Sequence, residues 1–219
     1  MQLESMEESY SELLRRNREW VDKTNTDDPE LFDRLSNGQK PRYLWIGCAD
    51  SRVPTSQITG THPGEIFVHR NIANMVVHTD INMLSVLQYA VDVLEVEHVI
   101  VCGHYGCGGV DAALSQKSYG LIDNWLRNIK DVYRLHQKEL EQIKGRALSD
   151  RMVELNVIEQ VNNLCKTNII QEAWTRGNHP HVHGWVYSLK DGLIRDLGVT
   201  VRNNDEMHDI YQYEDWGLD

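Results

Sequence analysis

The sequence predicts an α/β fold: a mostly parallel central sheet with an antiparallel edge strand, flanked by helices and preceded by an N-terminal helical arm. Three observations predict it. From Pro41 onward, short apolar runs alternate with helical patterns, as parallel strands with helical crossovers require. Two late strand patterns are joined by Lys190-Asp191-Gly192, a hairpin signal that makes the last strand antiparallel. The 219 residues, 41% hydrophobic and 25% charged, suit one core rather than two.

The elements follow in order. Tyr10, Leu13, Leu14, Trp20 and Val21 recur at helical spacing across Ser9 to Val21, and a polar stretch from Asp22 to Asp28 follows. Asp28-Pro29 reads as the cap and first-turn proline of a short helix that stops before Gly38. Residues 1–40 are thus an arm of the same domain, and 41–219 form its single α/β body. Tyr43 to Ile46, Ile66 to Val68 and Val99 to Val101 read as strands. Between the last two, Ile81, Leu84, Leu87, Val91 and Leu94 form one helical stripe. Two long helices are expected, one from about Leu121 to Ile143 closing at Gly145, the other from near Ser149 to Gly177. His183 to Leu189 and Leu193 to Val199 are the hairpin strands.

Composition excludes several functions. A formal net charge of −11 argues against nucleic acid as a partner, because phosphate binding needs clustered Lys and Arg. No apolar run approaches the roughly 18 residues that a bilayer demands, so no membrane is expected. Met1 to Glu8 is acidic where a targeting peptide would be basic, which predicts a reducing cytoplasm. Four cysteines there are buried, catalytic or metal-bound rather than disulfide-paired.

Two segments carry chemistry, each at the end of a strand pattern: Gly47-Cys-Ala-Asp-Ser-Arg-Val-Pro54 and Cys102-Gly-His-Tyr-Gly-Cys-Gly-Gly109. Carboxyl ends of strands in an open α/β sheet face one crevice, so both would open into it. Cys48, His104 and Cys107 supply two sulfurs and an imidazole, a donor set suited to tetrahedral zinc. Cys102 precedes the turn and, with Cys165, reads as a small buried hydrophobe. The nearest further donor is Asp50, but Arg52 competes for its carboxylate. The fourth position would then hold water, whose pKa zinc lowers to about 7. Gly106, Gly108 and Gly109 would alternatively suit a helix-start turn around an anion. His181 and His183 share a strand face, yet no Cys or carboxylate stands near them in sequence, so no second metal is expected. His62, His69, His78, His98, His136 and His208 read as surface or core residues.

Cys48-Ala-Asp-Ser-Arg-Val-Pro54 and His104-Tyr-Gly-Cys107-Gly-Gly109 resemble the zinc signatures of the β-class carbonic anhydrases. The similarity runs through Pro63-Gly-Glu-Ile-Phe-Val-His-Arg-Asn-Ile-Ala-Asn74 and His183-Gly-Trp-Val-Tyr187, and covers about Pro41 to Val199. It implies one Zn2+ per chain on Cys48, His104 and Cys107, with Asp50 and Arg52 as the dyad that orients zinc-bound hydroxide. The implied reaction is reversible hydration of carbon dioxide to bicarbonate and a proton. The arm would wrap a second subunit, in a homodimer or homotetramer.

A finer likeness is to the bacterial bicarbonate-regulated (type II) subset, with Trp45, Arg70 and Tyr187 at its second pocket and Gly47 before the zinc cysteine. Ser56 departs from it, standing where relatives carry Glu. This likeness implies inhibition by bicarbonate and loss of activity at lower pH, with Asp50 as a conditional zinc ligand. Two other readings share the donor set: hydrolysis of carbon disulfide or carbonyl sulfide, and a bicarbonate sensor whose zinc is structural. The intact Arg52 opposes the sensor.

Overall fold

The computed structural model describes residues 6–177 and 179–213. The chain divides into two units, with the boundary between Gln39 and Lys40. The first holds α1 (Met6–Asp27) and α2 (Leu31–Ser36). Helix α1 continues through the expected polar stretch to Asp27, and α2 begins at Leu31 after Glu30 rather than at Pro29. Salt bridges one turn apart, such as Arg16 to Glu12 at 2.7 Å, lie along α1 upstream of that stretch. Trp20 packs edge-on against Phe32, with ring centroids 5.6 Å apart. No residue of α1 is buried, and Tyr10, Leu13, Leu14 and Trp20 are exposed.

The second unit is built on five strands: β1 (Tyr43–Cys48), β2 (Ile66–Asn71), β3 (His98–His104), β4 (His181–Tyr187) and β5 (Ile194–Val201). Their order is β2-β1-β3-β4-β5; the first four run parallel and β5 pairs antiparallel with β4. Side-chain alternation divides the core across the sheet. Leu44, Ile46, Cys48, Val99 and Val101 face the larger cluster, whereas Trp45, Ile100 and Cys102 face a smaller one with Trp185 and Tyr187.

The helices are shorter and more numerous than periodicity predicts. They are α3 (Thr55–Thr59), α4 (Ile81–Gln88), α5 (Gly108–Leu114), α6 (Asp123–Leu135), α7 (Gln137–Leu140), α8 (Arg146–Cys165) and α9 (Asn168–Arg176). The expected helix through Leu94 ends as α4 followed by a wider turn at Tyr89–Val93. The expected 121–143 helix breaks at His136. The 149–177 helix starts earlier and breaks at Thr167, whose extended backbone and side-chain bond from the Ile170 N–H make it the cap of a new helix. Thr and Ser caps interrupt a helix without disturbing its apolar period, so periodicity alone joins the two pieces. The hairpin falls where expected, with the Gly192 N–H bonded to the Ser188 carbonyl at 2.8 Å, although its strands extend to His181 and Val201.

Helix α8 lies across β3 and β4, and two glycines admit it. A Cβ at Gly103 would sit 2.7 Å from Val157 Cγ2, and one at Gly184 would sit 3.1 Å from Val157 Cγ1. That close approach holds the carboxyl end of β3 rigidly against the core.

Candidate metal centre

Cys48 is the last residue of β1 and His104 the last of β3, not residues beyond the strands. Strict alternation would send His104 to the Cys102 side of the sheet and Cys48 to the other. They meet because both strands end there, so the donors converge over the carboxyl edge. Gly106, at φ +70°, reverses the chain and returns Cys107 to the same point. The sulfurs of Cys48 and Cys107 and a nitrogen of His104 all lie within 4.8 Å of one another, and all three residues are buried.

The surrounding groups prepare these atoms for a cation. His104 Nδ1 donates to the Tyr105 carbonyl at 3.2 Å, which leaves the lone pair on Nε2. Nε2 is buried and has no hydrogen-bond partner. Such an orphaned buried acceptor is costly unless something binds it. The two sulfurs stand 3.9 Å apart. The hydrogen bond from Cys107 pulls the Cys48 thiol down, helped by His104 and the N–H groups of Asp50 and Ala73. The same contact and burial push Cys107 up, so the pair shares one proton that a divalent cation would replace. Two thiolates and one imidazole with a free lone pair fit zinc, the metal of the β-class enzymes.

Asp50 stands over this cluster, its Oδ2 3.6 Å from His104 Nε2. Arg52 grips it three times: Nε to Oδ1 at 2.9 Å, Nη2 to Oδ2 at 2.7 Å and the backbone N–H to Oδ1 at 2.9 Å. The Arg52 hydrogen bonds hold the carboxyl well below the usual carboxylate range. Arg52 also reaches the Gly106 carbonyl at 3.4 Å, so one guanidinium ties both loops together.

The three residues of the expected second pocket are held in different ways. Trp45 and Tyr187 share the smaller apolar cluster, where Trp45 meets Trp185 edge-on at 6.2 Å. Arg70 pairs with Gly47 in the strand register, two residues from Trp45 and on the same face of the sheet. Its Nε donates to the Cys48 carbonyl at 2.8 Å and its Nη2 to the Asp50 carbonyl at 2.5 Å. Gly47 leaves room for Trp45, since a Cβ there would sit 2.3 Å from the indole nitrogen. Ser56 is exposed on α3.

Other residues of the site were hidden in the sequence. Asn71 closes the loop beneath Cys48, accepting from the Met75 N–H and donating to the Met75 carbonyl, both at 2.7 Å. Within that loop Ala73 and Asn74 take positive φ, and Asn156 Nδ2 anchors the Ala73 carbonyl at 3.0 Å. No motif announces these roles, although Asn71 and Ala73 lie inside the Pro63 to Asn74 stretch. Cys102 and Cys165 are buried, and burial pushes both thiols up, as expected of small hydrophobes. His98, half-buried as a residue between surface and core, lies close to His181 and His183, and one nitrogen of each falls within 4.8 Å of the others.

An open α/β sheet with a Cys-His-Cys cluster at its carboxyl edge is the arrangement that the resemblance to the β-class carbonic anhydrases implies. The comparisons agree. The family profile described as carbonic anhydrase matches residues 43–194. A carbonic anhydrase of Emericella nidulans is 50% identical over 195 residues, covering 89% of this chain and 86% of its own. The β-carbonic anhydrase of Coccomyxa, solved with acetazolamide, superposes with a TM-score of 0.86 at 40% identity, covering 89% of each chain. A tetrameric β-carbonic anhydrase of Sordaria macrospora gives a TM-score of 0.84 at 40% identity, over 88% of this chain and 98% of its own. The chain belongs to the carbonic anhydrase family, in its β class. Two of these three relatives are fungal and none is bacterial, so the bacterial subset is not what the overall similarity singles out.

Proposed function

We propose that the chain hydrates carbon dioxide reversibly to bicarbonate and a proton, with Cys48, His104 and Cys107 holding one zinc and Asp50 and Arg52 directing the reaction. The observation that carries this reading is the orphaned, buried Nε2 of His104 facing two sulfurs beneath an Asp50 carboxylate already engaged by Arg52. Zinc, when bound, lowers the pKa of water to about 7 and so supplies a nucleophile at near-neutral pH. Asp50 Oδ2 would accept a hydrogen bond from the attacking oxygen and so orient it toward the carbon of the substrate. Arg52 keeps the carboxylate from closing the site, which is what separates this enzyme from a sensor with structural zinc.

Regulation by bicarbonate belongs to the same proposal. Arg70 holds the carbonyls on either side of Ala49, so an anion that recruits its guanidinium would loosen the Asp50 loop. Asp50 could then leave Arg52 and act as a conditional fourth donor. Trp45 and Tyr187 offer an indole N–H and a phenol to the same anion. Low pH favours that closed form, because the deprotonated nucleophile becomes scarce while Asp50 stays ionised. Activity therefore falls toward neutral and acidic pH, and bicarbonate deepens the fall.

The exposed stripe of Tyr10, Leu13, Leu14 and Trp20 suits an arm laid on a second copy, in a homodimer or homotetramer. Four free cysteines favour a reducing cytoplasm. No helix among the described residues is long and apolar enough to cross a membrane.

Stopped-flow hydration with a pH indicator, before and after chelation and zinc return, tests the activity. Loss and recovery of carbon dioxide hydration support it. Zinc-dependent turnover of carbonyl sulfide or carbon disulfide without carbon dioxide hydration would replace it with the hydrolase.

A further inference from the structure

We propose that His98, His181 and His183 form a second site for Zn2+ or a similar borderline divalent cation, at the amino edge of β3 and β4. One nitrogen from each ring lies within 4.8 Å of the others, and all three residues are half-buried. The register explains the convergence: His98 pairs with His181, and His183 follows two residues later on the same face. His98 Nδ1 and His183 Nε2 are already 3.0 Å apart. Tetrahedral zinc at about 2.05 Å from each nitrogen sets them about 3.3 Å apart, so the hydrogen-bonded pair must only turn and open by about 0.3 Å and the third ring close by at most about 1.5 Å.

Outer contacts hold two of the rings. His183 Nδ1 meets Thr200 Oγ1 of the neighbouring β5 at 3.0 Å, the kind of second partner that turns the inner nitrogen toward a metal. Tyr43 stacks on His98 with centroids 5.6 Å apart and planes 18° from parallel. Between His98 and His183 one N–H now points at the other ring's lone pair. A neutral imidazole carries a single N–H, so moving it to the outer nitrogen frees the inner lone pair without loss of a proton. For His183 the outer N–H then donates to Thr200. Three imidazoles and a water complete four-coordinate zinc.

His98 and His104 are six residues apart on β3, about 20 Å in an extended strand. Metal at the amino edge would therefore staple β3 to β4 and leave the chemistry at the other end alone. The test uses the full chain loaded with its first equivalent of metal. Added Zn2+ should bring the content from one to two per chain. A second equivalent of Co2+ should add only weak visible bands, because the thiolate-to-metal absorption belongs to the Cys48 and Cys107 site. Free zinc at about a hundred times the dissociation constant should raise the melting temperature by about 5–10 °C. His181→Gln should remove the second equivalent and that shift while keeping the first equivalent and the hydration rate. Should the variant fold poorly, the wild-type titration decides alone. Saturation at one equivalent, or a second equivalent that persists unchanged in folded His181→Gln, overturns the site.

Discussion

Strand β3 carries histidine at both ends, and the two ends differ in nearly every property that matters for chemistry. At the carboxyl end, His104 is fully buried, has its Nδ1 fixed by a backbone carbonyl and presents an unpartnered Nε2 to two sulfurs. At the amino end, His98 is partly exposed and bonded to another imidazole. Burial and the neighbouring imidazoles push His183 down to about 4, and burial pushes His98 down as well. At the carboxyl end Asp50, held by Arg52, has its Oδ2 3.6 Å from His104 Nε2, whereas at the amino end the carboxylate beside His98, Glu97, is an exposed one paired with Arg42. A donor cluster alone can hold a cation; catalysis needs a carboxylate held ready beside it.

The largest expected effect breaks the comparison at the carboxyl end. Cys48→Ser, His104→Ala and Cys107→Ser should each strip the catalytic zinc and abolish hydration, since three protein ligands leave none to spare. Elemental analysis with the stopped-flow rate checks this, and full zinc in all three variants contradicts the assignment.

Arg52→Ala should keep zinc yet lose about 100-fold in rate, by freeing Asp50 to close the site. In the zinc-free variant, with no metal to take the place of Arg52, the Asp50 carboxyl returns toward its ordinary range. In the wild type that depressed group favours the folded state above the unfolded carboxylate pKa, and its contribution fades as pH falls below it. Acid unfolding of zinc-free Arg52→Ala should accordingly begin at higher pH.

Gly47→Ala should destabilise the chain by about 1–3 kcal/mol, because the new methyl meets the buried Trp45 ring rather than a mobile side chain. Thermal melting measures it; an unchanged melting temperature would show that Trp45 can move.

Smaller still is the regulatory effect. Arg70→Ala and Tyr187→Phe should retain zinc and weaken bicarbonate inhibition several-fold. Parent-like pH profiles and inhibition in both variants would make these ordinary structural positions.

The same comparison shows what the sequence disclosed. Cys48-x-Asp50-x-Arg52 and His104-x-x-Cys107 are readable because each motif sits within one turn, and strand ends in a parallel sheet share an edge. His98 and His181 were not joined, because their pairing is a matter of register between strands 83 residues apart in sequence. Strand identity and the antiparallel last pair are legible in the alternation and the hairpin signal, whereas helix breaks at His136 and Thr167 leave the apolar stripe intact. The loop at Asn71 to Met75 depends on two positive-φ residues, Ala73 and Asn74, that no turn signal marks.

The most direct test of the division of labour at the carboxyl edge is Asp50→Asn, with zinc content and carbon dioxide hydration measured on the same sample. The account predicts one zinc per chain and a rate lower by about 100-fold or more, because the amide no longer offers a carboxylate to orient the nucleophile. A variant that keeps its zinc and hydrates at the wild-type rate, even at alkaline pH, would show that Asp50 has no part in the reaction.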